Sequence, residues 1–173
     1  MKKIVITGAL GYLGTELCKI YSGESWRNKI VALDSRFISE RVSQLKDWNI
    51  EFFQGHILDK KILKKHLSDA DVVHHLAGIT DVAYVKTEAN SELDEKISCI
   101  AIDGTNNILN AIPKKCKIIF PSTHVVYEGF KVAKKNIREN EKPKPVLMYA
   151  SSKLQNEKDI KKSSNNYVIL RLG

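Results

Sequence analysis

The feature that most constrains this chain is a β-branched run that ends in closely spaced glycines. Ile4-Val5-Ile6-Thr7 leads directly into Gly8-Ala9-Leu10-Gly11-Tyr12-Leu13-Gly14, and Tyr12–Ser22 then carries Leu13, Leu17 and Ile20 on one helical face. A strand, a tight turn and a helix follow one another with no spare residues. In such a turn the first glycine permits the bend, the second lets the backbone approach a diphosphate, and the third lets helix and strand pack closely. The helix N-terminus adds free N–H groups and partial positive charge, so the unit is suited to an anion.

The rest of the chain repeats the alternation. Apolar runs at Ile30–Leu33, Ile50–Phe53, Val72–Leu76, Lys117–Phe120 and Tyr167–Leu172 read as strands. Helical patterns cover Lys60–His66, roughly Glu88–Ala111 up to Pro113, and Met148–Lys162; the polar stretch between Tyr127 and Val146 reads as an irregular loop. Strands alternating with helices imply βαβ units and an α/β domain with a parallel sheet. Near-continuous apolar strands such as Ile118-Ile119-Phe120 suit a sheet covered by helices on both faces, which right-handed crossovers make doubly wound. With 173 residues, 43% of them hydrophobic, one domain is expected over the whole of 1–173.

The net charge is +8, from 28 basic and 20 acidic residues. The lysines are scattered in pairs such as Lys60-Lys61 and Lys134-Lys135, without interleaved aromatics, so nucleic acid is not the expected partner. Cys18, Cys99 and Cys116 match no metal spacing and read as free thiols of a reducing compartment. His74 and His75 are adjacent on a strand, hence on opposite faces, and make a poor chelating pair; no metal is expected. The N-terminus lacks a signal-peptide pattern and no apolar stretch reaches membrane-spanning length, so the expectation is a cytoplasmic protein with no membrane partner.

Five further segments, taken with Thr7-Gly8-x-x-Gly11-x-x-Gly14, resemble the extended short-chain dehydrogenases/reductases of the NAD-dependent epimerase/dehydratase type. Asp34 ends the second strand, where a carboxylate accepts ribose hydroxyls and repels a 2′-phosphate; Arg36 beside it leaves NADP open, with NAD favoured. Gly55-His56-Ile57-Leu58-Asp59 resembles a G-D-[IV]-x-D segment with His56 in place of the adenine-contacting Asp and Ile57 against the adenine. Val73-His74-His75-Leu76-Ala77-Gly78 resembles the strand end whose backbone passes under the cofactor, and Ala101-Ile102-Asp103-Gly104-Thr105 resembles N-[VI]-x-G-T with Ala101 replacing the Asn. Pro121-Ser122-Thr123-His124-Val125-Val126-Tyr127 resembles S-[ST]-x-x-V-Y-G, with Glu128 in the place of the Gly. Tyr149-Ala150-Ser151-Ser152-Lys153, approached by Pro143-x-Pro145, resembles the Tyr-x-x-x-Lys helix.

The resemblance implies a Rossmann fold whose Gly8, Gly11, Tyr12, Leu13, Gly14, Asp34, His56, Ile57, Leu76, Ala77, Gly78, Ser122, Tyr149 and Lys153 bind NAD. It implies Thr123, Tyr149 and Lys153 as the catalytic set. Tyr149 and Lys153, four apart, share a helix face, so an ammonium can ease deprotonation of the phenol, and the Thr123 hydroxyl can steady the reacting oxygen. The implied substrate is a nucleotide sugar, and the two long helices imply a homodimer interface. The family's strand six continues as R-x-x-N-V-Y-G-P, whereas this sequence ends at Gly173; a substrate domain of comparable length is therefore expected to be missing, whether the chain is a fragment or a short form. A non-catalytic NAD-sensing or interaction module is the competing expectation, favoured by Ala101 and His56.

Overall fold

The computed structural model describes residues 1–80, 91–132 and 134–173. The elements are β1 (Lys2–Thr7), α1 (Tyr12–Ser22), β2 (Asn28–Asp34), α2 (Ser39–Asp47), β3 (Glu51–Gln54), α3 (Lys60–Leu67) and β4 (Val72–His75). There follow α4 (Ser91–Ser98), a π-helical turn (Cys99–Asp103), α5 (Gly104–Ala111), β5 (Lys117–Thr123), a 3-10 turn (His124–Tyr127), α6 (Met148–Lys162) and β6 (Asn166–Leu172). The six strands form one parallel sheet in the order β3-β2-β1-β4-β5-β6. The expected doubly wound α/β fold is the observed one.

Successive strand residues serve opposite layers, as the two-residue period of a strand requires. Val5, Val31, Leu33, Val73, Ile118 and Phe120 pack with Leu63 and Leu67 of α3, Ile108 of α5 and Ile160 of α6. Ile4, Ile6, Ile30 and Ala32 pack on the other face with Cys18 of α1 and Leu45 of α2. The two histidines follow the same rule. The Tyr21 hydroxyl is 2.8 Å from His74 Nε2, on the α1 side. The His75 ring lies on the α5 side between Thr7 Oγ1 at 3.1 Å and Thr105 Oγ1 at 2.9 Å. Burial pushes His74 down to about 4 and, with Lys153 nearby, His75 down to about 3, so both rings are neutral at physiological pH. Among the described residues no group of three His, Cys, Asp or Glu could hold a metal ion, and no helix is long and apolar enough to cross a membrane.

Three elements differ from the sequence expectation. Helix α2 has no counterpart there: its sequence, Ser-Glu-Arg-Val-Ser-Gln-Leu-Lys-Asp, buries Leu45 alone, too little to mark a helical period. The expected helix Glu88–Ala111 is divided by the π-helical turn at Cys99–Asp103; Glu88, Ala89 and Asn90 lie outside the described residues. Strand β5 runs past Phe120 to Thr123, through Pro121. Pairing with β4 stops at Ile119, so from Phe120 onward β5 has only β6 as a neighbour, and a residue without an N–H is tolerated there as on an edge.

Candidate active site

The C-terminal ends of β1, β2, β4 and β5 open into one cavity of about 650 Å³, at the point where the sheet order turns back between β1 and β4. Every site residue expected from the sequence lines it: the three glycines of the first turn with Tyr12 and Leu13, Asp34, His56, Ile57, Leu76 to Gly78, Ser122, Thr123, Tyr149 and Lys153.

The glycine turn is built for close approach. Gly8 has φ +70°, and a Cβ there would lie 2.7 Å from the Ala77 nitrogen; at Gly14 it would lie 2.3 Å from the Gly8 carbonyl oxygen. Helix α1 starts from Gly11 with no side-chain cap and no acidic residue in its first turn, among the described residues. Among the described residues its leading N–H groups therefore have no partner, and the residues that carry them line the cavity. At Gly78 an added Cβ would meet nothing within 4 Å, which leaves the floor under the cavity open.

Asp34, 4% exposed, is fully engaged. Its Oδ2 accepts from the Leu10 N–H at 2.9 Å and from Arg36 Nη2 at 3.1 Å. Its Oδ1 accepts from the Arg36 N–H at 3.0 Å and from Arg36 Nε at 3.1 Å. Burial alone would raise this carboxyl, but the Arg36 guanidinium and the two backbone donors outweigh it and hold it below its ordinary value. The neighbouring His56 is tied to its own loop: its Nδ1 accepts from the Leu58 N–H at 3.1 Å. Ile57 is buried in the core and fills the space that a side chain at Gly104 would need.

At the other end of the cavity, three consecutive residues of β5 meet one face of α6. The Lys153 ammonium donates to the Pro121 carbonyl at 2.9 Å and lies 4.5 Å from the Phe120 ring centre. Ser122 Oγ donates to Glu157 Oε1 at 2.6 Å. The Thr123 side chain lies beside the Tyr149 hydroxyl, where it favours the ionised phenol, and its Oγ1 accepts from the Val125 N–H at 3.2 Å. Tyr149, Lys153 and Glu157 are successive members of an i, i+4, i+8 stripe, so helix and strand are joined rung by rung. Burial raises the Tyr149 phenol and Thr123 works against that rise. Burial also lowers Lys153 from 10.5 to about 8, and its Nζ is 5.9 Å from the Tyr149 ring centre. Behind them Glu157 is gripped by Arg171, through Nε at 2.9 Å and Nη2 at 2.6 Å.

Sequence reasoning missed Arg36 as a partner of Asp34, and gave no role to Pro121, Glu157 or Arg171. The four-residue spacing of Tyr149, Lys153 and Glu157 was the one available signal. Glu128, which replaces the family's Gly, has a visible role: its Oε1 accepts from the Val146 N–H at 2.6 Å and the Leu147 N–H at 2.5 Å, seating the start of α6.

The model of the 3-beta hydroxysteroid dehydrogenase/isomerase family matches residues 5–171. The dTDP-D-glucose 4,6-dehydratase of Dictyostelium discoideum is 29% identical over 182 residues, covering 100% of this chain and 38% of that protein. The UDP-N-acetyl-alpha-D-glucosaminuronate decarboxylase of Bacillus cytotoxicus is 35% identical over 127 residues, covering 73% of this chain and 38% of its own length. Among solved structures, the UDP-glucuronic acid 4-epimerase of Bacillus cereus, crystallised with a fluorinated UDP-glucuronic acid and NAD, superposes with a TM-score of 0.82 at 29% identity, over 98% of this chain and 55% of that one. The UDP-Glc/GlcNAc 4-epimerase of Campylobacter jejuni, 21% identical with a TM-score of 0.84 over 99% of this chain and 53% of its own, shares the fold. The chain thus spans between about two fifths and a little over half of these relatives. With the family model matching from β1 to β6, the chain belongs to the 3-beta hydroxysteroid dehydrogenase/isomerase family, within the extended short-chain dehydrogenases/reductases.

Proposed function

We propose that this chain is the NAD-binding and proton-transferring part of an oxidoreductase of the nucleotide-sugar epimerase/dehydratase type. The observation that carries the reading is the convergence on one cavity of the bare α1 N-terminus, the Asp34 carboxylate and the Thr123–Tyr149–Lys153 cluster. The residues fit the cofactor: free first-turn N–H groups suit a diphosphate, and the open floor at Gly78 leaves room for a ring system. Asp34 would take the adenosine ribose, once Arg36 releases it.

Bound NAD would supply a hydride acceptor and donor. Tyr149 would take a proton from, and return it to, a substrate hydroxyl, with the Thr123 side chain beside the same phenol. Lys153, titrating at about 8, is mostly an ammonium at neutral pH and favours the phenolate. The ammonium in turn is oriented by Pro121. The nucleotide sugars named for the relatives mark the substrate class proposed here, and α4, α5 and α6 the faces proposed for a homodimer, which sedimentation would test.

Calorimetric titration with NAD tests the binding half; the expected result is saturable binding, retained by Tyr149→Phe. Turnover of a nucleotide sugar, lost in Tyr149→Phe, tests the catalytic half. The second reading, a non-catalytic NAD-responsive module, draws on two observations. His56 is tied to its own loop, and Ala101 stands inside the π-helical turn without an amide to offer the site. Wild-type and Tyr149→Phe chains that bind NAD alike, with no turnover in the complete protein, would favour it.

A further inference from the structure

Behind the cavity wall lies a buried polar junction that the proposed chemistry does not use. Glu157 is 1% exposed. Its Oε1 accepts from Ser122 and from Arg171 Nε, and its Oε2 from Arg171 Nη2, with Lys161 Nζ 3.8 Å away. The remaining Arg171 nitrogen, Nη1, donates to the Tyr127 hydroxyl and to the Glu139 carbonyl at 3.2 Å. The junction thus gathers β5, the 3-10 turn, the loop before α6, α6 itself and β6. A buried ion pair of this kind seldom adds stability over an apolar pair of similar volume. What it supplies is directional: a carboxylate with its acceptors filled from fixed directions holds its partners in one arrangement.

That direction matters because of what flanks Ser122. Pro121 presents its carbonyl to Lys153, and Thr123 presents its side chain to Tyr149. Past Ile119 this end of β5 no longer pairs with β4, so its strand partner is β6, and α6 meets it through the Lys153 and Glu157 contacts. Resting on the reading of Thr123, Tyr149 and Lys153 given above, we infer that Glu157, clamped by Arg171, is a positioning residue for this site. It fixes Ser122 and thereby the register in which Pro121 and Thr123 meet Lys153 and Tyr149.

The test reads Lys153, whose surroundings include His75 on β4 and Tyr149 on α6. In chain labelled with ¹³C-lysine, the Lys153 Cε resonance is assigned by its disappearance in Lys153→Met, and its midpoint is followed with pH. Ser122→Ala removes one neutral hydroxyl, cuts the link to Glu157 and changes no charge. A loosened strand end admits water to the ammonium, so the midpoint is expected to rise by about half a unit or more. Glu157→Gln is expected to raise it too. Were Glu157 felt only as a charge, losing the anion would lower the Lys153 midpoint. A folded Glu157→Gln protein with a lowered midpoint overturns the inference, as does a Ser122→Ala midpoint that stays at the wild-type value. If Glu157→Gln does not fold, Ser122→Ala decides alone. Neither measurement requires NAD or substrate, so failure to bind NAD, which would overturn the functional reading, is distinguished from a Lys153 midpoint that does not move, which would overturn this one.

Discussion

The ammonium of Lys153 and the carbonyl of Pro121 meet at 2.9 Å, joining the middle of α6 to the end of β5. The contact orients a cation that burial disfavours. It also sets a cost in stability, because an ammonium in this position carries a lowered proton affinity.

The first prediction concerns that cost. Lys153 titrates at about 8 in the folded chain and near 10.5 when unfolded, so between those values the unfolded chain holds the extra proton. Stability contributed by this group therefore rises with pH from about 8 to 10.5 and is lowest below 8. Lys153→Met removes the charge and should be more stable than wild type at pH 7, by on the order of 1–3 kcal/mol after allowance for the lost Pro121 contact, with the gain fading toward pH 10.5. Urea unfolding at pH 7 and pH 10 checks both the sign and the trend.

Arg36 is expected to compete with the cofactor. A carboxylate offers about four acceptor positions, and Asp34 already has four donors, three of them from Arg36. A ribose diol must displace the guanidinium to reach Asp34. Arg36→Ala should therefore bind NAD more tightly, by roughly three- to ten-fold, corresponding to about 0.7–1.4 kcal/mol, while affinity for NADP should not improve. Calorimetry with both nucleotides decides; weaker NAD binding in the variant would mean that Arg36 contacts the cofactor instead of blocking it.

The glycines give a paired expectation. Gly14→Ala forces a Cβ to within 2.3 Å of the Gly8 carbonyl, and backbone must move; a loss of about 2–4 kcal/mol is expected from such strain. Gly78→Ala meets nothing, so its thermal midpoint should stay close to wild type while the methyl group narrows the cavity floor and weakens NAD binding. Melting curves and nucleotide titrations on the two variants should give opposite patterns.

The Glu157–Arg171 pair should behave as a unit. Removing one partner, as in Arg171→Met, strands a carboxylate that is 1% exposed and should cost about 3–5 kcal/mol, whereas Glu157→Met with Arg171→Leu should recover most of that loss. Equal losses in single and double variants, measured by urea unfolding, would count against the coupling.

What could be read from the sequence was local. The strand–turn–helix at Thr7–Gly14 announces itself because each glycine is needed within a few residues of the next, and the Tyr149–Lys153 pair because a helix turns every 3.6 residues. Asp34 was legible by position but not by state: that Arg36, two residues on, fills its acceptors depends on a side-chain rotamer, which no spacing encodes. Helix α2 was hidden because one buried leucine makes no pattern. Arg171 lies fourteen residues from Glu157 on a different element, and only the β5–β6 pairing brings the two together. The π-helical turn left no mark either, since one extra residue per turn is a matter of packing and not of apolar spacing.

The cavity is shared by parts of the chain that are remote in sequence. Asp34 belongs to the half carrying β1 to β3, and Lys153 to the half carrying β4 to β6, with the β1–β4 seam between them. A molecule that reaches both works as a removable staple across that seam, a non-covalent cross-link closing a loop of more than a hundred residues. Folding of the whole sheet would then be tied to how much of it is present: at a hundred times its dissociation constant the native state gains about 2.7 kcal/mol. The abundance of such a chain would follow the supply of its own ligand.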